Sequence, residues 1–219
     1  MQKKLKTTLN RQTKQLERGL KMSNKEIRFL DFENQSQEDM VVEGYAATFN
    51  QPTVLYVRDG IQYKEVISKN AFQNTDMKDC CFKYNHSDNV MILARTRGGS
   101  LQLKTDEHGL FFRSKLFDTQ SGRDVHTLVK AGVLDRCSFA FTIAKDGDVF
   151  DKQTRTRTIL KIDKLYDCSI VDIPAYDSTS VSARSFFDAE ADKELKEIAD
   201  AMDRELRMTK LKELLKEVK

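Results

Sequence analysis

The chain has 219 residues, 39% of them hydrophobic and 32% charged, with thirteen Phe, two Pro and no Trp, enough for one sizeable domain with a real core. No apolar run approaches the roughly 18 residues of a membrane-spanning helix, and the N-terminus lacks the apolar stretch of a secretory signal. Four cysteines occur without a Cys-x-x-Cys pair, so a zinc ribbon is unsupported and a soluble, intracellular protein with free thiols is expected.

Residues 1–25 carry eight Lys/Arg against one acid, Glu17, while the whole chain has a formal charge of only +3. Such an arm could touch nucleic acid or an acidic partner, but it holds no aromatic residue on which a base could stack. It reads as a mobile, solvated extension, with no specific nucleic-acid binding and no membrane contact implied. Met22 offers a second possible start, in "MSNKEIRFLDF", where strand-like patterning begins.

From 26 to 186 short strands dominate. Ile27 and Phe29 alternate with Arg28, and "MVVEGYAATF" (40–49) continues the β-rich character, with Gly44 suggesting a bulge or kink. "SLQLKTDEHGLFFRSKLF" (100–117) reads as a hairpin turning at "DEHG". "SGRDVHTLVKAG" (121–132) reads as a helix opened by a capping box of Ser121 and Asp124 and closed at Gly132, with Val125, Leu128 and Val129 on one face. In "DRCSFAF" (135–141), Cys137, Phe139 and Phe141 alternate with Ser138 and Ala140, the mark of a strand with one apolar and one polar face. "RTILKIDKLYDCSIVDIP" (157–174) reads as a long strand region whose alternation changes phase near Asp163-Lys164.

The C-terminal segment from 187 spaces Leu195, Ile198, Met202, Leu206, Leu211, Leu215 and Val218 at approximately helical intervals, with acids crowding its first half and bases its last. Packing on its own domain and a role between molecules fit this stripe equally well. The organisation expected is an extension (1–25), a β-rich domain (26–186) and a charged amphipathic helix (187–219). The fold class is mainly β with flanking helices, α+β.

Ser138 is either the polar side of a strand or a nucleophile, and a serine needs a histidine base to attack at neutral pH. No Gly-x-Ser-x-Gly elbow surrounds it. Three histidines are available. His126 reads as a surface histidine on the helix, and His108 as an exposed residue of the hairpin turn. His86, in "FKYNHSDNVMILART" (82–96), sits among turn-forming residues between two apolar stretches; by composition alone it reads as another exposed loop histidine, yet flanking strands there would hold a base rigidly. Cys80, Cys81 and His86 could form an irregular metal site, but buried free thiols are the better reading.

Four blocks in order, "EVISKNAF" (65–72), "YNHSDNVMILART", "GSLQLKTDEHGLFFRSKLFDTQSGRDVHTLVKAGVLDRCSFAF" and "LYDCSIVDIPAYDSTSVSAR", resemble the tailed-bacteriophage prohead proteases, capsid-maturation serine proteases related to the herpesvirus assemblins. The resemblance spans about residues 26–184. It implies a β-barrel flanked by helices, a catalytic histidine at His86 and a nucleophile at Ser138. The family's Ser-Phe-Gly-Phe has Ala140 here in place of glycine. Asp167 matches the glutamate of the family's Glu-x-Ser-Leu-Val block with a side chain one methylene shorter, and would be the third triad member. The herpesvirus relatives use a second histidine there, which keeps His108 and His126 as alternatives.

The resemblance further implies cleavage of the major capsid protein precursor, its scaffold segment and the protease's own ends inside the procapsid in the host cytoplasm, with a homo-oligomer possible and no metal or organic cofactor. Alternation turns Cys137 away from the face of Ser138, making it a poor competing nucleophile, and the small Ala140 and Thr142 would leave room for substrate. The alternative is a degenerate relative serving procapsid assembly or scaffolding through its C-terminal helix.

Overall fold

The computed structural model describes residues 25–172 and 176–217, the side chains of Tyr56, 176–184 and 213–217 left aside. The basic arm up to residue 24, Met22 included, lies outside the described residues. The strands are β1 (Glu26–Asp31), β2 (Val41–Thr48), β3 (Thr53–Arg58), β4 (Ile61–Ile67), β5 (Cys81–Tyr84), β6 (Ala94–Arg95), β7 (Leu101–Thr105), β8 (Gly109–Lys115), β9 (Arg136–Ile143), β10 (Asp148–Asp151), β11 (Thr156–Ile159) and β12 (Ile162–Val171). Among the described residues two α-helices, α1 (Gln120–Lys130) and α2 (Tyr176–Glu217), complete the mainly β, α+β architecture. The chain divides into two compact units, 1–179 and 180–219. All the strands lie in the first, and the second consists largely of α2.

The strands form three sheets, ordered β1-β9-β12-β5-β6, β10-β11-β4-β3 and β2-β8-β7. A closed barrel requires every strand to have two hydrogen-bonded neighbours. Here β1, β6, β10, β3, β2 and β7 each have one, so among the described residues the barrel implied by the resemblance is replaced by three open sheets. They share one apolar core, in which Phe72, Phe82, Phe112, Phe139 and Phe141 are buried together with Leu110, Ile159, Leu165 and Ile170.

The hairpin expected at 100–117 is β7–β8, paired antiparallel, and Asp106 Oδ1 closes its turn by accepting from the amides of His108 (2.8 Å) and Gly109 (3.0 Å). Gly44 lies beside a register shift between Tyr45 and Ala47. A Cβ on Gly44 would stand 2.8 Å from the Phe32 ring, so close packing also accounts for the missing side chain. The phase change near Asp163 has a physical source: the chain breaks between β11 and β12, and β12 then carries irregularities at Ile162/Lys164 and Leu165/Asp167.

Three local expectations are corrected. Thr119, two residues earlier than expected, caps α1 by accepting from the Gly122 amide at 3.1 Å, while Ser121 lies inside the helix; Gly132 does adopt the left-handed conformation beyond its end, at φ 69°. His126 is buried on α1 instead of lying at the surface. The stripe on α2 breaks after Leu206, because Leu211 follows five residues on and falls off the line set by 3.6 residues per turn. Leu195, Ile198, Met202 and Leu206 share one side and remain 51–67% exposed.

A fourth departure is in β1. Alternation assigns Arg28 to the polar side, yet Arg28 is the most buried residue of the strand. Its guanidinium meets Glu65, the glutamate of the 65–72 block, through two 2.5 Å hydrogen bonds and also Glu26 at 2.5 Å. Arg157 joins the cluster through Glu26 (2.9 Å) and Asp148 (2.7 Å). Burial raises the Glu26 carboxyl, but the two arginines outweigh it and hold the group below the usual carboxylate range. The cluster knits β1, β4, β10 and β11 together, and removing one partner leaves charge buried without compensation. Glu65→Ala is expected to destabilise the protein by about 3–5 kcal/mol in urea unfolding. The double variant Arg28→Met/Glu65→Leu should recover much of that loss; a single variant as stable as wild type would show the cluster to be energetically idle.

Candidate active site

The antiparallel ladder between β9 and β12 decides which side chains share a face. Ser138 lies opposite Ser169, and Ala140 opposite Asp167. On β12's other side, β5 runs parallel, with Cys81 beside Asp167 and Lys83 beside Ser169. Side chains of directly paired residues stand on the same face. Ser138, Asp167 and Ser169 therefore project from one side of the sheet. Cys137, Phe139 and Phe141 project into the core on the other, where burial pushes the Cys137 thiol well above its ordinary pKa.

The face of Ser138 is not the half-exposed polar surface that alternation suggests. Ser138 is 2% exposed and Ala140 is fully buried, so Ala140 cannot line an open substrate cleft. Its small side chain sits across from Asp167 within the sheet.

His86 reaches this face from the end of β5. Asn85 and His86 both adopt left-handed backbone conformations, at φ 52° and 53°, turning the chain within two residues of the strand. Asparagine tolerates this conformation better than most residues, whereas at histidine it is uncommon and needs support. The support comes from the end of β12: Asn85 Nδ2 donates to Asp172 Oδ1 at 2.9 Å, and the Asp172 amide donates back to Asn85 Oδ1 at 3.1 Å. Tyr84 Oη donates to the second Asp172 oxygen at 2.7 Å, and the Asn85 amide to the Ile170 carbonyl at 2.9 Å.

So held, the imidazole bridges two strands. Its Nδ1 stands 2.5 Å from Asp167 Oδ1 and its Nε2 stands 2.6 Å from Ser138 Oγ. With the Nδ1 proton donated to the carboxylate, Nε2 is left to accept from the serine. Ser138 has a second acceptor, the Arg28 carbonyl at 2.9 Å, and its single proton serves one acceptor at a time. Asp167 Oδ1 also accepts from Ser169 Oγ at 3.0 Å, and Oδ2 from Lys25 Nζ at 3.2 Å. Burial raises the Asp167 carboxyl, but His86, Lys25 and Ser169 together hold it below its ordinary value. A hydroxyl, a base and an ionised carboxylate in this order can activate a nucleophile.

The structure thus brings Ser138, His86 and Asp167 together. It leaves the alternatives apart: His108 is exposed in the hairpin turn, edge-on to the Tyr45 ring, and His126 lies 3.9 Å from Asp39. Among the described residues no three His, Cys, Asp or Glu side chains converge as metal ligands. A cavity of about 200 Å³ between β1, β2 and β3 is lined by neither Ser138, His86 nor Asp167. Sequence reasoning missed Ser169, Asp172 and Lys25. Ser169 was legible, since two residues from Asp167 on a strand it must share that face.

Residues 26–194 match the family described as caudovirus prohead serine protease. The chain belongs to that family. It is a serine protease of the phage capsid-maturation kind, and no curated protein matches it. Among solved structures it is similar to the bacteriophage T4 capsid assembly protease gp21, with a TM-score of 0.42 and 9% identity over 68% of this chain and 98% of that one. No described helix of this family member is long and apolar enough to cross a membrane.

Because the folded Asp167 pKa is lowered, its ionised contacts stabilise the fold above the unfolded carboxylate pKa of about 3.9 and are lost as pH falls through the folded value. Asp167→Asn removes that contribution. The gap in unfolding free energy between wild type and variant is expected to narrow as pH falls from 6 to 3, measured by urea titration at each pH; a gap that widens would contradict the assignment.

Proposed function

We propose that the chain is a serine endopeptidase in which Ser138 is the nucleophile, His86 the general base and acid, and Asp167 the group that orients the histidine. The observation carrying this reading is the unbroken contact from Ser138 Oγ through His86 to Asp167, at 2.6 and 2.5 Å. Ser138 Oγ attacks the scissile carbonyl as His86 Nε2 takes its proton, forming a tetrahedral intermediate. His86 returns that proton to the leaving amine, and water, deprotonated in turn by His86, releases the acyl group from Ser138. Asp167 keeps the Nδ1 proton in place and stabilises the imidazolium formed in each half-reaction.

The family points to the substrates: the capsid protein precursor, its scaffold segment and the protease's own termini, cut inside the assembling procapsid. Ser138→Ala is expected to leave the fold intact, since the hydroxyl is small, and to lower processing of a co-expressed capsid precursor by roughly a million-fold. A fluorophosphonate should label wild type at Ser138 alone. Undiminished cleavage by the folded variant would sink the reading of Ser138 as the nucleophile, whereas absence of cleavage by wild type would leave an assembly or scaffolding role.

The protease domain, in this reading, runs from Lys25 to the end of the family match, and α2 beyond it serves incorporation rather than chemistry. Its half-exposed Leu195, Ile198, Met202 and Leu206 support this, because side chains so exposed contribute little to a core. A chain ending at residue 194 should cleave peptide at the wild-type rate in solution but enter procapsids poorly. Loss of peptide cleavage would make the distal helix part of the catalytic fold.

A further inference from the structure

Asp167 accepts from more than His86. Its second oxygen, Oδ2, receives Lys25 Nζ at 3.2 Å. Lys25 immediately precedes β1, in phase with Ile27 and Phe29, the residues opposite Ala140 and Ser138. Its ammonium also stands 5.1 Å from the centre of the Tyr166 ring, so an aromatic face and a carboxylate fix it from two sides. The Lys25 side chain is one-third exposed, and Asp167 is nearly fully buried.

From this geometry we infer that Lys25 is a positioning residue of the triad that sets the pH at which His86 becomes an effective base; the inference rests on the reading of His86 as that base. Two cations share one carboxylate. Protonated His86 is stabilised by Asp167, but Lys25 neutralises part of that negative charge and stands on the same side as the imidazolium it repels. Lys25 therefore favours neutral His86, the form that accepts the proton of Ser138. It also holds Oδ2, so that Oδ1 is presented to Nδ1.

The other charged and titratable groups around the pair do not contact the Asp167 carboxylate, although Lys83 feels its charge at longer range. Lys83 of β5 shares the face but is bound to Asp88 at 2.5 Å. Cys81, also of β5, is a thiol whose pKa burial raises, so it stays neutral. Ser138 and Ser169 are uncharged, and on the core face of the same strands Cys137 and Cys168 are thiols with raised pKa values. Lys164 lies over the Tyr166 ring at 5.3 Å and pairs with Asp76 at 3.8 Å. Lys25 is the cation in contact with the Asp167 carboxylate.

The test has two arms. In the first, kcat/KM for a capsid-precursor peptide is measured against pH for wild type, Lys25→Met and Lys25→Arg. The acid limb should move to higher pH by about half a unit in Lys25→Met, a roughly threefold lower rate at a fixed pH on the limb, and return in Lys25→Arg. The position of the limb is the readout, because a merely structural defect lowers the rate without moving it. In the second arm, the His86 ring is titrated by NMR in the Ser138→Ala background with and without Lys25→Met, its resonance assigned by loss in His86→Gln. An upward shift of the His86 midpoint is expected there whether or not any peptide is cleaved, which separates this inference from the protease assignment. An unmoved midpoint in Lys25→Met, or a downward one, overturns it.

Discussion

The register of the β9–β12 ladder is the constraint on which everything at this site depends. It sets Ser138 opposite Ser169 and Ala140 opposite Asp167. Because side chains alternate with a period of two, a slip of one residue would send either Ser138 or Asp167 to the opposite face and into the core. The slip is resisted by the core itself. Cys137, Phe139 and Phe141 of β9, with Leu165, Cys168 and Ile170 of β12, are buried together. Hydrophobic packing on one face thus sets the chemistry of the other, without any direct contact between the two sets of side chains. The irregularity between Leu165 and Asp167 belongs to the same arrangement, since it shifts phase within β12 and leaves Asp167 level with Ala140.

Much of this was legible in the chain, and the limits of legibility have physical causes. The period-two pattern of 135–141 correctly turned Cys137 away from Ser138. It could not reveal that the second face is also covered, because a small or polar residue looks the same whether it meets solvent or another side chain. Arg28 shows the error most clearly. Its charge argued for the surface, and only the three-dimensional approach of Glu65 and Glu26 makes its burial tolerable. His126 was misplaced for a similar reason: periodicity put it beside the apolar face of α1, and the width of the covering surface is a tertiary fact. The hairpin at 100–117 was read correctly because its information is local, in alternation and a turn closed by Asp106. The barrel was implied by the family resemblance and by no local pattern, since closure depends on pairing between strands far apart in sequence.

Bringing Ser138, His86 and Asp167 to one place required the resemblance of several blocks, because they lie 52 and 81 positions apart along the chain. The residues that hold them went unnoticed. Asp172 is an exposed carboxylate on a chain rich in them, and nothing local says that it grips Asn85. Lys25 looked like the last charge of a basic arm. Ser169 alone carried a signal in its spacing from Asp167.

A nucleophile elbow achieves exposure by straining the backbone at the serine itself. Here Ser138 lies within a regular strand paired on both sides, by β1 and β12, and the unusual backbone is transferred to the histidine. The two solutions distribute rigidity differently. Sheet hydrogen bonds locate the serine and the carboxylate, whose relative position is then as fixed as the ladder. The imidazole is the member that must be steered into line, and it is held by the Asn85–Asp172 pair and by Tyr84, all on or beside β5 and the end of β12. The reach of His86 from its strand is only two residues, short enough that the clamp on Asn85 leaves the ring little freedom except rotation about its own side-chain bonds. Those rotations are restrained by the partners at Nδ1 and Nε2. The histidine is thereby oriented through contacts to the ends of β5 and β12, the second of which also carries Asp167 and pairs with the strand of Ser138, so that disturbance of β12 would disturb all three groups together.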